Sequence, residues 1–446
     1  MVNARFDVLI IGGGILGVTT SYWVSNLYHG KIALVEKESE IALHQSLRNT
    51  NVLHRPFYLN PVKKRLWSFS AQASYSLWRR LASADNLPWK DTGTIEVAKS
   101  DGDIETLERY RTWATANGMK DEEIEIIDSS ALTSLEPQVK GKGAIFSKTD
   151  ASVDFRKFTL SVFQRAKQNG VVLIDSTKAK RIDNNGVLVS GKVSGRIDAK
   201  VIINCSAGGT LKLAHDIGLA RDYTNLFFRG DYWQVNQPLG SRIRRNIYTV
   251  PAHSEYPFLD PHFIVRYDGR REVGPTATLV SNPYSYREKY FIPIKIWRSL
   301  LSRPATPKMK LLFNKEFRGL ASEEWKSSIS RKTMAKRVSK FIPDFKKEML
   351  THRGISGVRT QIIDGKGTFV PEALVFAGNG SVHIINYNSP GATGAPAFSE
   401  LLVYKMDEMG FFEGIKRKTL GERTIWEEND VIDKMPETII SSLFLK

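Results

Sequence analysis

Two hydrophobic rhythms divide the chain. "FDVLIIGGGILGV" opens as a largely apolar run from Phe6 to Ile11, ends on glycines, and resumes with Val18, Tyr22 and Trp23 on one helix face. A short apolar run bounded by glycine predicts a buried strand, and "KIALVEK" predicts a second. Over residues 62–83, Leu66, Phe69, Ala73, Leu77 and Leu81 recur three or four apart, as a helix requires. "GDIETLERYRTWATANG" and "SVDFRKFTLSVFQRAKQNG" predict helices closed by Gly118 and Gly170. "GTIEVAKS", "VVLIDS", "VLVSG" and "AKVIINCSAGG" predict strands, with Asn184-Asn185-Gly186 as a hairpin signal. From about 220 to 345 the rhythm changes. "FFRGDYWQV", "NIYTVP", "PHFIVRYDG" and "REVGP" alternate as an antiparallel sheet does. "EALVFAGNG" and "VHIINYNSPGATGAPAFSELLVYKM" then return to strand followed by helix. The expected class is α/β with a mixed antiparallel part. A chain of 446 residues is too long for one simple core, so two domains are expected.

The first glycines carry chemistry. Gly12-x-Gly14-x-x-Gly17 follows a strand, opens a helix, and precedes a second strand ending on Glu36. Gly12 permits a tight turn, Gly14 lets backbone approach a pyrophosphate, and Gly17 allows close helix–strand packing. The helix N-terminus offers N–H groups and a positive dipole end to phosphate. Glu36 suits ribose hydroxyls and opposes a 2′-phosphate. The N-terminal position and the extra Gly13 suit FAD in a glutathione-reductase-like Rossmann domain better than NAD. A second fingerprint is absent from the sequence. Ala207 and Gly208, directly after a strand, form another place for backbone to approach the cofactor.

Composition narrows the setting. With 41% hydrophobic and 25% charged residues the chain is a folded globular protein. The single cysteine, Cys205, excludes an internal disulfide or a Cys-cluster metal site and suits a reducing compartment. The apolar opening is broken by Gly12, Gly13, Gly14 and Gly17, so it makes a poor transmembrane helix and a poor signal peptide. A cytoplasmic protein is expected. The net charge of +17 is concentrated: residues 287–347 hold 17 Lys and Arg against 5 Asp and Glu. That excess suits an anionic partner, and "YFIPIKIWRSLLSRP" suits peripheral contact with the inner face of a membrane. An ordinary solvated basic surface is the competing reading. No nucleic-acid module accompanies the charge.

Several separated stretches then fall into one order: "GGGILG", "VEKE", "HQS", "VLH…FY", "FRGDY", "YTVP…PFLDPHF…R.DG…VGP", "KFIP", "RGISGVRTQ.IDG.G" and "NSPGAT". Together, over about residues 5–408, they resemble the L-2-hydroxyglutarate dehydrogenase/oxidase family of D-amino-acid-oxidase-like FAD oxidoreductases. The resemblance implies an FAD domain assembled from 1–75, 150–218 and 348–410. A substrate domain from 76–149 and 219–347 is interleaved with it, and 411–446 is an extension with no assigned role. It implies oxidation of a short 2-hydroxy dicarboxylate to the 2-oxo acid, with electrons passed to a quinone or oxygen.

Such chemistry needs a base for the hydroxyl proton and cations for carboxylates. By the resemblance His54 is the first candidate for the base and His262 the second. Arg359 and Arg266 are the preferred carboxylate binders, ahead of Arg229, whose neighbour Asp231 is an equal claimant. Tyr58, Tyr248 and Tyr232 are candidate pocket donors. Lys37, His44, Gln45 and Ser46 fall in the segment that approaches the cofactor. Asn388, Ser389, Pro390, Gly391, Ala392 and Thr393 form a helix start facing the flavin, and His383 is a further candidate near its pyrimidine edge. The stretch Asn49 to Tyr58 departs from the family's "N-S-G-V-I-H-S-G-I-Y-Y" at Thr50, Asn51, Arg55 and Pro56. Bulk and a cation beside the flavin make malate a competing substrate, and a flavin amine oxidase is a third reading.

Overall fold

The computed structural model describes residues 4–445 apart from 184, 237–241, 254–255, 257–259, 287–292, 419–423, 428–430 and 442. Asn184 of the expected hairpin turn, residues 257–259 of the "PFLDPHF" block and the start of the basic segment therefore lie outside the described residues.

The N-terminal apolar runs form the centre of a nine-stranded sheet. Ala4–Ile11 lies between Gly195–Asn204 and Ile32–Val35 and is parallel to both. Ser381–Asn386 and Val172–Ile174 continue the parallel array on either side. Val8 to Ile11 are all buried, because both faces of the sheet are covered. The Ile15–Leu27 helix packs between the Phe155–Gln168 and Gly391–Glu408 helices, and the last of these also packs on Arg65–Ala84.

The tail is part of this core. Trp426 is fully buried, with its ring 5.0 Å from Tyr22 and 5.4 Å from Trp78, and its Nε1–H donates to the Leu77 carbonyl at 2.8 Å. Phe444–Leu445 then adds a parallel strand beside Leu374–Gly378. The apolar residues near the C-terminus thus complete the sheet's edge.

The second layer is an eight-stranded sheet. Its order is Leu350–Arg353, Trp233–Val235, Arg271–Gly274, His262–Val265, Asn246–Thr249, Thr94–Ala98, Gly143–Ser147, Ile124–Asp128. All its pairs are antiparallel except Asn246–Thr249 with Thr94–Ala98. A three-stranded sheet of Thr278–Val280, Thr224–Gly230 and Gly357–Ile363 lies alongside. Leu350–Arg353 and Gly357–Ile363 come from the 348–410 segment, yet neither pairs in the nine-stranded sheet. A smaller sheet matters most for the site. Val52–Leu53 pairs with Ala151–Val153, Leu53 opposite Ala151, and so brings residue 54 beside residue 150.

Candidate active site

The glycine turn is shaped for a ligand at one position and for packing at the others. Gly12 has φ 106°, and a Cβ there would lie 2.6 Å from the Cys205 carbonyl oxygen. A Cβ on Gly17 would lie 1.9 Å from the Gly12 carbonyl oxygen. Gly14 is different: its Cβ would meet only Ser46 Oγ, at 3.5 Å, so open space lies beside the backbone. No side chain caps the Ile15–Leu27 helix at Gly14, although the Ser46 hydroxyl accepts the Ile15 N–H at 2.8 Å. Glu36 is buried and accepts the Gly13 N–H at 2.7 Å and the Glu38 N–H at 2.9 Å. An open backbone cradle, a positive helix end and an acid at the tip of the second strand fit the pyrophosphate and ribose of FAD.

Neighbouring candidates tie this cradle to the second layer. His44 Nδ1 lies 2.6 Å from the Tyr286 hydroxyl and Nε2 lies 2.9 Å from Glu38, which also pairs with Lys37. Burial, then the Lys37 charge, holds His44 below its ordinary pKa. Gln45 donates to the Val358 carbonyl at 3.1 Å. Ala207 has φ 50°, and a Cβ on Gly208 would lie 2.4 Å from Pro283, so that turn packs tightly against protein.

The C-terminal helix start meets the histidine segment. Asn388 donates to Gln361 at 3.1 Å and the Gly391 N–H to the Asn388 carbonyl at 2.5 Å, which folds Asn388–Ser389–Pro390 into a tight turn. A Cβ on Gly391 would lie 2.9 Å from the Tyr387 ring. One turn on, Thr393 Oγ1 accepts the His54 backbone N–H at 3.2 Å, while its carbonyl accepts Trp78 Nε1–H at 2.8 Å. Ala392 lies between them at the uncapped helix end.

His54 is the hub of the site. Its Nδ1 lies 3.1 Å from Asp150 Oδ2, and its Nε2 lies 3.4 Å from the Tyr248 hydroxyl. Tyr58 and Tyr248 stand edge-on to its ring, at 6.0 and 5.6 Å. His262 stacks on Tyr248 at 3.9 Å, with its Nδ1 buried and unpartnered among the described residues. Burial first, then the Arg359 and His54 charges, drives the His262 pKa well below its ordinary value, so this ring stays neutral. Burial also raises the Tyr58 and Tyr248 phenols, which remain protonated donors.

The arginines separate into two kinds. Arg266 is buried with Glu272, donating to its carboxylate at 2.8 and 2.5 Å and to the Asn49 carbonyl at 2.7 Å. Its charge is already neutralised from within, which corrects its expected part as a substrate binder. Arg229 pairs with Asp231 at 2.9 Å. The Arg359 side chain, on the Gly357–Ile363 strand, has no hydrogen bond or ion pair among the described residues. Burial works against its charge, and Tyr232, Glu324, Tyr248 and Tyr58 lie within its electrostatic reach.

Two further expectations change. Arg55 points away from the pocket. It pairs with Glu123 at 2.8 Å, donates to Thr149 and Gln72, and lies 4.3 Å over the Tyr75 ring. It therefore adds no cation to the substrate pocket. His383 lies inside the parallel sheet, 3.0 Å from Asn204 and 3.0 Å from Ser381, where burial lowers its pKa to about 4. It is a strand-packing residue.

With this geometry in view, the FAD-dependent oxidoreductase family matches residues 7–405. The chain belongs to the FAD-dependent oxidoreductases. Similar relatives in the family are named L-2-hydroxyglutarate dehydrogenase. The mitochondrial protein of Caenorhabditis briggsae is 30% identical over 89% of this chain and 92% of its own length. The Escherichia coli K12 protein is 27% identical over 91% and 94%. The human mitochondrial protein is 26% identical over 91% and 89%. Among solved structures, L-alpha-glycerophosphate oxidase from Mycoplasma pneumoniae with FAD bound superposes with TM-score 0.67 at 21% identity, covering 93% of this chain and 96% of that one. Glycine oxidase from Geobacillus kaustophilus gives 0.65 at 15% identity, covering 95% and 100%. Neighbours that act on a hydroxyl and on an amine share this fold, so the fold alone does not choose between them.

Asp150 is the residue that sequence reasoning missed. It lies 96 positions from His54, with no motif around it. Only the pairing of Leu53 with Ala151 announces it. Glu96 was missed as well. This buried acid in the Thr94–Ala98 strand has its pKa raised to about 8 by burial, then by the Asp150 and Asp103 charges.

Proposed function

We propose that this protein oxidises L-2-hydroxyglutarate, a short 2-hydroxy dicarboxylate, to the 2-oxo acid. His54 is the base that takes the hydroxyl proton at Nε2, and Arg359 anchors a carboxylate. Bound FAD supplies the acceptor for the two electrons and the hydrogen of the C–H bond. Tyr58 and Tyr248 donate hydrogen bonds into the pocket, and neutral His262 lines its wall without adding repulsion near Arg359. The observation that carries this reading is a half-buried guanidinium whose side chain has no partner among the described residues and whose charge reaches His262. A carboxylate would relieve its desolvation. The names of the relatives support the substrate. The pairing of Arg55 with Glu123 weakens one of the two arguments for malate, the added cation, while the bulk at Thr50, Asn51 and Pro56 stays, and malate's shorter chain differs by one methylene.

Electrons pass onward to a quinone at a membrane surface. Among the described residues no helix is long and apolar enough to cross a membrane. Helices from Pro293 to Val338 expose Trp297, Leu301, Phe313, Trp325 and Ile329. Exposed Arg303, Lys310, Lys315 and Arg318 stand among them. Apolar tips between cations suit an anionic bilayer. Lys308 is excluded from that surface, since it is buried against the Ser299 carbonyl at 2.7 Å.

Anaerobic bleaching of the flavin absorbance tests the substrate, using L-2-hydroxyglutarate, L-malate, L-lactate, glycine and proline. Rapid bleaching is expected with L-2-hydroxyglutarate. Bleaching by an amino acid alone would support amine oxidation instead. Salt-reversible sedimentation with anionic vesicles, and none with neutral ones, is the expected result for the surface.

A further inference from the structure

We propose that Asp150 is a positioning residue for His54, holding the imidazole in the tautomer that carries its proton on Nδ1 and leaves Nε2 bare toward the substrate. The inference rests on the reading of His54 as the base.

Asp150 is fully buried, and three hydrogen-bond donors reach its oxygens. Thr94 donates its hydroxyl to Oδ2 at 2.8 Å, and Ser147 donates to Oδ1 at 2.6 Å. The Arg55 backbone N–H reaches Oδ1 at 3.1 Å. His54 Nδ1 is the fourth group, 3.1 Å from Oδ2. A carboxylate enclosed by three donors has no proton to give, so Nδ1 must donate to it. Nε2 is then an acceptor, met among the described residues by the long contact to the Tyr248 hydroxyl at 3.4 Å.

The surroundings fix this pair in three dimensions. The His54 backbone N–H is held by Thr393, and Leu53 is paired with Ala151 across the small sheet. Arg55, clamped by Glu123, Gln72 and Thr149, keeps its own N–H aimed at Asp150. The bulky residue next to the histidine thus braces the dyad. When the substrate's hydroxyl proton moves to Nε2, the imidazole becomes a cation, and the adjacent carboxylate stabilises it. Without Asp150 the ring can turn or exchange tautomers, presenting an N–H to the hydroxyl it should deprotonate.

A double-mutant cycle on the FAD-loaded protein tests this, reading the anaerobic flavin reduction rate with L-2-hydroxyglutarate and, separately, the FAD dissociation constant. Asp150→Asn keeps the size and most of the hydrogen bonds. It is expected to slow reduction about 100-fold in the His54 protein and less than twofold in a His54→Asn background, with FAD affinity unchanged within threefold. An equal loss in both backgrounds, or a native rate for Asp150→Asn alone, would overturn the proposal. A native rate for His54→Asn would instead defeat the base assignment itself. Should Asp150→Asn fail to fold, long-range nitrogen spectra of 15N-histidine-labelled wild-type holoprotein still decide. The signals missing from His54→Asn must report a proton on Nδ1, and a proton on Nε2 would contradict the dyad.

Discussion

The cofactor cradle and the substrate-side wall touch where Thr393 holds His54, yet they handle polar groups in opposite ways. In the cradle nearby partners are already in place: Gly13 with Glu36, Ile15 with Ser46, Lys37 and His44 with Glu38. The turn residues come from one short stretch of chain. In the wall, His54, Asp150, Tyr248, His262 and Arg359 come from five separate segments. Among the described residues polar capacity is left open there, at His262 Nδ1 and the half-buried Arg359 guanidinium. The difference teaches where a ligand has most to offer, because an unpartnered polar group taken out of water costs stability that a ligand can restore.

Two arginines, buried Arg266 and half-buried Arg359, break or sharpen that contrast most strongly. Arg266→Ala leaves Glu272 buried and unpaired, so a loss of about 3–5 kcal/mol of stability is expected in denaturant melts. Arg359→Ala is expected to melt no lower than wild type and to raise KM for L-2-hydroxyglutarate about 100-fold. Matching stability losses for the two would erase the distinction. Within the core, Trp426→Ala should cost about 3–5 kcal/mol, since the indole is fully enclosed by Tyr22, Trp23 and Trp78. A wild-type melting temperature would show that the tail contributes nothing.

The glycines divide the cradle in the same manner. Gly17→Ala forces a Cβ onto the Gly12 carbonyl and should destabilise the fold by about 3 kcal/mol. Gly14→Val places its Cβ in open space, so the apoprotein should keep its melting temperature while FAD affinity falls about 100-fold, measured by fluorescence titration. Gly14→Val with native FAD affinity would move the pyrophosphate elsewhere.

What the sequence disclosed follows this division. The cradle was legible because its strand, glycine turn and Glu36 are local, and each residue type has one physical reason to be there. The family resemblance brought His54 and Arg359 into view. It did not distinguish Arg359 from Arg266, since both lie in strand blocks and only the three-dimensional neighbour Glu272 separates them. Arg55 reads as a pocket cation because it adjoins His54 in sequence, whereas its side chain turns toward Glu123. Asp150 and Trp426 carry no local signal. Their roles exist only once distant segments pack.

A pH-dependent effect concerns Glu96. Its folded pKa of about 8 lies above the ordinary 4.5, so the folded state holds the proton more tightly than the unfolded chain. Stability should therefore fall as pH rises between about 4.5 and 8, by at most about 1.4 kcal/mol per pH unit, and level off above. Glu96→Gln should flatten that slope and melt higher than wild type at pH 8. An unchanged slope would show that the carboxyl is solvated.

The most direct test is the anaerobic rate of flavin reduction by saturating L-2-hydroxyglutarate in FAD-loaded His54→Asn, followed by stopped flow. A fall of at least about 100-fold, with FAD retained, is the predicted result. A rate within threefold of wild type would contradict the assignment of His54 as the base.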